Sequence, residues 1–483
     1  MNSPATRVSR KFPILALAAL VGTGSIQAAE HRVSTPEAFD AALARIRPGD
    51  ALVLRDGVWR DAKLRFRARG NPEQPVTLRT ETPGGAVFEG ASQLIVDGAH
   101  LVVTGLNFRN NSDLPEIVTP YNVTVASVVI FKAGTSHSRL TETAIVDSGT
   151  GVSTYVHLEP GSRSNRVDHC FFSNQGAIGM TFYVEVDPAT PNHHQIDHNY
   201  FGNRKPGRGN RWETLRIGHS EQQEFESATT VAHNYFFRCN GEIECISNKS
   251  TGNRFLYNAF VENRGQLSLR HGDRAWIEGN YFDGGEEPDS QGIRVSGSGH
   301  VIINNYFKGI RDALLIYNGQ PDPEPRGYTA VNDTLIAFNT LEDCANNLVL
   351  GIGSRGRTLT PRNLRITGNL VQAQPGRPII RLRSDDIDVS YDANVMFGGE
   401  LGVPKPDGIH TGPPVLERDA WDRILPGKTG SSPPIDPETV ARVSRDLNGR
   451  PRGEAMTIGA IHERSAPPLY PLSREDVGPR WMD

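Results

Sequence analysis

The sequence predicts an all-β chain wound as a right-handed parallel β-helix, with a short N-terminal helix capping it. Three observations carry this. A four-residue segment centred on asparagine recurs: HNYF at 198, HNYF at 233, YNAF at 257, GNYF at 279, NNYF at 304, FNTL at 338, GNLV at 368 and ANVM at 393, with HCFF at 169 as a variant. Its asparagines are Asn199, Asn234, Asn258, Asn280, Asn305, Asn339, Asn369 and Asn394, spaced 35, 24, 22, 25, 34, 30 and 25 residues apart. The short intervals set one coil, and the long ones are that coil plus a loop. Alternating strand-like runs such as HVIIN, TLIAF and NLRIT precede the anchors, and helical periodicity is almost absent. Asn-Gly hairpin signals are sparse, which disfavours an antiparallel sandwich.

Taken in order, residues 1–29 have the form of an export signal. Arg7, Arg10 and Lys11 precede a short apolar run from Ile14 to Val21, and Ala28 and Ala29 offer a cleavage point. The expected location is therefore periplasmic or extracellular. No later stretch is long and apolar enough for a membrane span. Thr35-Pro36-Glu37 opens a helix with a capping hydroxyl, a proline suited to the first turn and an acidic group at the positive dipole end. Phe39, Ala42, Leu43 and Ile46 form its apolar stripe, and Pro48-Gly49-Asp50 ends it. The repeat occupies residues 30–399. Residues 400–483 are rich in Pro and Gly, with one helical run near Pro437 to Val443, and are expected to form a C-terminal cap and tail packed on the solenoid. The repeated asparagines are expected to stack at one corner and satisfy turn backbone rather than to do chemistry.

Composition narrows function. The 483 residues are 37% apolar and 22% charged, a soluble globular balance. Net charge is −4, and about −7 without the three basic residues of the leader, which argues against nucleic acid as a partner. A local basic groove for an anionic substrate remains compatible with that sign. Cys170, Cys239, Cys245 and Cys344 show no CxxC spacing or His pairing, so they are expected to be small buried core residues rather than zinc ligands.

The chemistry concentrates in NGEIECISNKSTGNRFLYNAFVENRGQLSLRH, residues 240–271. Strand alternation places Glu242, Glu244 and Arg270 on one outward face, with Ile243, Leu267 and Leu269 turned inward. The 24-residue interval between Asn234 and Asn258 is expected to set Glu244 beside Ser268 and Gln266 over Glu242, with Lys249 past the next bend. GNRWETLRIG upstream brings Asn210, Glu213 and Arg216; GIRV downstream turns Arg294 outward, and Arg311 and Tyr317 follow. Two adjacent carboxylates repel unless a cation joins them, and oxygen ligands without Cys or His favour a hard ion such as calcium. Positive neighbours lower a lysine pKa and make it a general base, while an arginine binds an oxyanion or passes a proton to a leaving oxygen. Together these suit β-elimination in a uronate polymer, where a base takes the proton beside the carboxylate. Glycoside hydrolysis needs two carboxyl groups flanking the bond, and no such pair stands apart from these glutamates.

NGEIECISNKS followed by LSLRHG, GNYF, GIRV and NNYF resembles polysaccharide lyase family six, the alginate lyases and chondroitinase B type enzymes, over roughly residues 35–394. The resemblance implies a right-handed β-helix, Lys249 as Brønsted base and Arg270 as Brønsted acid. It implies calcium held by Glu242, Glu244 and Asn210, and substrate contacts from His271, Arg294 and Tyr317. Where the family pattern has the small residues of N-G-G-E, this chain has Asn210-Arg211-Trp212-Glu213. The implied substrate is an anionic polysaccharide, alginate ahead of dermatan sulfate. A C5-epimerase and a non-catalytic carbohydrate-binding solenoid are the rival readings, and monomer or dimer stays open.

Overall fold

The computed structural model describes residues 28–323, 326–354, 356–427, 435, 437–452, 457–462 and 472–482. The export-signal expectation falls almost wholly on residues 1–27, outside the described residues.

The chain coils into three long parallel sheets of 14, 12 and 14 strands, each coil of the central stack giving one strand to each sheet. The coil around Asn234, for example, contributes Thr230–Ala232, Tyr235–Cys239 and Glu244–Lys249. Each strand pairs in parallel with its counterparts in the coils before and after. The right-handed parallel β-helix expected from the repeat is the fold. At its start, helix α1 (Pro36–Leu43) is capped by Thr35, whose hydroxyl accepts the Ala38 N–H at 3.2 Å. Phe39 and Ala42 are buried beneath it.

The asparagine segment makes one corner of the coil, and the reason lies in the backbone. The residue before each asparagine is left-handed: His198, His233, Tyr257, Asn304, Phe338 and Ala393 have φ between 51° and 56°, and glycine fills the place at 279 and 368. For non-glycine residues this conformation costs about 1–2 kcal/mol each. The asparagine ladder compensates. Asn258 donates its amide to Val231 O (2.9 Å) and to Asn280 Oδ1 (3.0 Å), while its own Oδ1 accepts the Asn234 backbone N–H (3.0 Å). The same bonds repeat from Asn199 to Asn394. Cys170 stands where the ladder begins, and its backbone N–H donates to Asn199 Oδ1. Inside the corner the last aromatic of each segment stacks on the next: Phe172, Phe201, Phe236, Phe260, Phe282 and Phe307 have ring centroids 4.6–5.2 Å apart. All four cysteines are buried and free, in the core as expected.

The C-terminal segment returns along the solenoid. Ile424 N–H donates to Tyr306 Oη (2.7 Å), Arg452 bonds Asn304 Oδ1 (2.7 Å), and Trp481 Nε1 reaches Glu142 O (2.8 Å). A short helix spans Pro437–Arg442. Among the described residues, no helix is long and apolar enough to cross a membrane.

The 12-stranded sheet carries the charged residues. Seven of its strands matter below, named in chain order: β1 (Leu215–Ile217), β2 (Glu244–Lys249), β3 (Gln266–His271), β4 (Gln291–Val295), β5 (Asp312–Tyr317), β6 (Asn346–Ile352) and β7 (Ile380–Leu382). They lie side by side in that order. Their inward residues, among them Leu215, Ile246, Leu267, Leu269, Ile293 and Leu314, join the central core.

Candidate active site

Register decides which side chains meet, and it departs from the expected one. Glu244 pairs with Gln266, Ser247 with Ser268, and Lys249 with His271. Glu244 is ten residues past Asn234, whereas Gln266 is eight past Asn258. The coil beginning at Asn234 spends its two extra residues in the turn before β2. Ile243 lies on that turn and is 50% exposed, so it is not the core residue that alternation predicted; Cys245 is buried in its place. Lys249 likewise lies within β2 as its last residue, not past a bend.

Two irregularities shape the face. The pairing shifts between Glu244 and Ile246, and again between Asn248 and Lys249. The first leaves Cys245 without a partner on β3; the second leaves Arg270 without one on β2. Bulges of this kind re-aim side chains. The first is permitted by Gly265, where a Cβ would stand 2.5 Å from the Cys245 nitrogen.

The outward face of β1 to β4 thereby gathers three glutamates and four cations. Glu213, just before β1, is fully buried and bonded by Arg216 through Nε (3.0 Å) and Nη2. Lys249 Nζ lies 3.7 Å from the same carboxylate. Glu244 is held on both oxygens: Arg270 (3.0 Å) and Arg294 (3.4 Å) approach Oε1, and Ser247 Oγ donates to Oε2 (2.5 Å). Glu242 accepts the Trp212 backbone N–H at 3.0 Å.

This packing sets the protonation of the site. Burial, then the charge of Arg216, pushes the Lys249 ammonium down to about 8, despite the opposing pull of Glu213 and Glu244. Burial raises the carboxyl of Glu213, but Arg216 and Lys249 outweigh it and hold the group below the usual carboxylate range. Burial and the adjacent Glu213 push Glu242 well above that range. Burial works against the Arg270 charge and Glu244 more than offsets it, so Arg270 stays a cation. His271 is pushed down to about 2 by burial and by Lys249, Arg270 and Arg294, and is therefore neutral at any working pH.

The calcium expectation is tested by these donors. All are oxygens, the set a hard ion prefers. Glu213 Oε2 is buried without a hydrogen-bond partner, and Glu242 lies against that carboxylate with its pKa raised. A cation at that spot relieves both, so the donors fit one. No three His, Cys, Asp or Glu side chains converge as a metal site among the described residues. An ion here therefore takes two protein carboxylates and completes its shell with other oxygens. Asn210 is exposed, and among the described residues no hydrogen bond joins its side chain to either glutamate. The acidic group that does come into the cluster from that segment is Glu213.

Downstream, Arg294 lies over the Tyr317 ring at 4.6 Å, joining two residues named from sequence. A residue missed from sequence completes the wall. Tyr328, on the loop after β5, stacks on His271 with centroids 4.9 Å apart. Arg270, Arg294 and Arg357 lie 5.9, 5.3 and 4.8 Å from the same ring. Two residues earlier, Arg326 Nε reaches Glu221 Oε1 at 2.7 Å, tying the loop back to the coil of β1. Its only sequence signal is an aromatic in a long interval between anchors. Arg311 pairs with Asp289 and Asp312 and makes no contact with the glutamate cluster.

The face thus offers a buried lysine able to lose its proton, an arginine fixed as a cation beside it, and further arginines for an anionic ligand. Comparison with known proteins bears on which chemistry this serves. The chondroitinase B family profile matches residues 33–418. A family-six alginate lyase, AlyGC, is 31% identical over 94% of this chain and 58% of its own, with a TM-score of 0.76; this chain therefore spans under two thirds of that protein. A mannuronic acid specific family-six lyase from human gut microbiota is 32% identical over 76% of this chain and 86% of its own, with a TM-score of 0.67. A family-six alginate lyase in complex with a trisaccharide, 20% identical with a TM-score of 0.71, shares the fold. No curated protein matches. With the profile covering most of the chain, from the first strands to the C-terminal segment, the protein belongs to polysaccharide lyase family six, the chondroitinase B family.

Proposed function

We propose that this protein is an exported, calcium-assisted lyase that cleaves a 1,4-linked uronate polymer by β-elimination, with alginate preferred to dermatan sulfate. The observation that carries the proposal is Lys249: a buried lysine whose ammonium is pushed down to about 8, within 3.7 Å of Glu213 and on the same face as Arg270. A general base works best with a pKa near the operating pH. Neutral Lys249 takes the proton from C5, and the electron pair forms the C4–C5 double bond. The C4–O4 bond breaks, and Arg270 gives a proton to the departing O4. Glu244 keeps Arg270 and Arg294 in place through its Oε1, and His271 stays neutral against Tyr328. Calcium would be held by Glu242 and Glu213, whose carboxylates lie together, and would neutralise the substrate carboxylate and so acidify the C5 proton. Of the other ligands the family pattern implies, Glu244 is engaged by Arg270, Arg294 and Ser247, and Asn210 is exposed.

The preference for alginate is supported by the two relatives above 30% identity, one described as an alginate lyase and one as mannuronic acid specific. Export is supported by the basic, apolar and small-residue order of residues 1–29. The test is near-ultraviolet absorbance of an unsaturated uronate during incubation with alginate, polymannuronate, polyguluronate and dermatan sulfate. A rise with alginate substrates is expected. Absence of any rise would overturn the lyase reading, and new guluronate in polymannuronate without chain shortening would instead establish an epimerase.

A further inference from the structure

Beyond the catalytic cluster the same face of the 12-stranded sheet continues for three more strands. Arg294 on β4 pairs in register with Leu315 on β5, Leu315 with Val349 on β6, and Val349 with Arg381 on β7. These four residues form one outward column, so Arg381 lies three strand spacings, about 14 Å, from Arg294. A cavity of about 430 Å³ sits over this part of the column. Leu315, Val349 and Ile352 form an apolar floor, and Arg381 and Arg383 form the far wall.

The charge of this pocket is unbalanced. Neither Arg381 nor Arg383 has an ion-pair partner among the described residues; Arg381 is half-buried and Arg383 exposed. The one acidic group in the lining, Asp312, is already engaged by Arg311 (2.9 Å) and by the Asn346 amide (2.7 Å). Elsewhere on the surface, arginines such as Arg139 and Arg166 are neutralised by carboxylates, those of Asp168 and Asp197. Two unpaired guanidiniums facing one groove are an open site for an anion, and the planar fork of arginine matches a carboxylate. The flat apolar floor suits the face of a sugar ring.

We propose that Arg381 and Arg383 form a distal carboxylate-binding subsite for a uronate polymer, several sugars along from the bond that is cut. This rests on the proposed uronate-polymer substrate and extends it. A chain lying along the column engages Arg294 near the catalytic centre and Arg381 with Arg383 at the far end. A short oligosaccharide seated at Lys249 and Arg270 does not reach the far end. The subsite thereby makes the protein favour polymer over oligomer.

The test compares wild type with the double variant Arg381→Ala/Arg383→Ala, with Arg381→Lys/Arg383→Lys as the charge-conserving control. Affinity for polymannuronate and polyguluronate is measured by titration calorimetry, and steady-state kinetics are measured on polymer and on the trisaccharide. For the alanine variant the expected result is affinity for polymer weakened on the order of tenfold, KM on polymer raised to match, and trisaccharide kinetics unchanged. The lysine variant should keep part of the affinity. Equal polymer affinity in wild type and alanine variant overturns the proposal, as does equal loss on polymer and trisaccharide. The two readings separate cleanly. A wild type that produces no unsaturated uronate fails the lyase reading, while the calorimetric comparison still decides the subsite.

Discussion

Replacing Lys249 with methionine should cut activity by orders of magnitude and make the protein more stable at neutral pH. The side chain is almost wholly buried, and its pKa falls from 10.5 to about 8 on folding. That displacement corresponds to about 3 kcal/mol at 1.36 kcal/mol per unit. The folded pKa lies below the unfolded one, so between about pH 8 and 10.5 the unfolded chain binds the proton and the native state does not. Native stability rises with pH across that window, and the penalty is fully present below pH 8. Methionine has similar length and no charge, so Lys249→Met removes the penalty, while Arg216 continues to hold Glu213. Urea midpoints for the two proteins at pH 7 and at pH 10.5 should show a gain at pH 7, on the order of 1–3 kcal/mol, that vanishes at the higher pH. Loss of the base should lower kcat by about 10²–10⁴, and wild-type kcat/KM should rise with pH through about 8, as Lys249 loses its proton. A variant less stable than wild type at pH 7, or a stability difference independent of pH, would refute the reasoning.

Other outcomes follow from the same geometry. Arg270→Ala should cut kcat by at least about 10²-fold in a protein that still folds, with a lower unfolding midpoint because buried Glu244 loses one of its partners; kinetics close to wild type would remove Arg270 from the proton path. Asn258→Ala leaves the Asn234 N–H and Val231 O without their partner in a buried corner, and should cost about 2–4 kcal/mol in urea unfolding. A loss below about 0.5 kcal/mol would show that the ladder does not hold the coils. Chelation should lower activity, with calcium restoring it better than magnesium, because two carboxylates completed by other oxygens suit the larger ion with its looser coordination demands; activity indifferent to chelation would remove calcium from the proposal.

The fold was legible because the residues that make it recur in the sequence. Each anchor asparagine is part of a four-residue segment, and its ladder partner lies one coil away in the same segment. The site was legible in its residue types but not in its contacts. Alternation placed Ile243 inward and Glu244 against Ser268, and both failed for one reason: two residues absorbed in a turn shift the following strand without changing its pattern. The bulge that frees Arg270 from pairing is equally silent, since it depends on how β2 and β3 fall out of step. Glu213 and Arg216 were visible in GNRWETLRIG, but their meeting with Lys249 and Glu242 follows from strand register. Tyr328 lies on a loop with no periodicity, where only the folded chain shows that it covers His271. Arg381 and Arg383 lie more than a hundred residues from Arg270, and only the stacked coils put them on one groove.

The most direct measurement is product formation on defined uronate blocks by wild type and Lys249→Ala side by side. The account predicts unsaturated uronate ends from wild type on mannuronate or guluronate blocks, and none from a folded Lys249→Ala. Unsaturated product from the variant at a rate near wild type would contradict it, and so would a wild type that yields only saturated, hydrolysed ends.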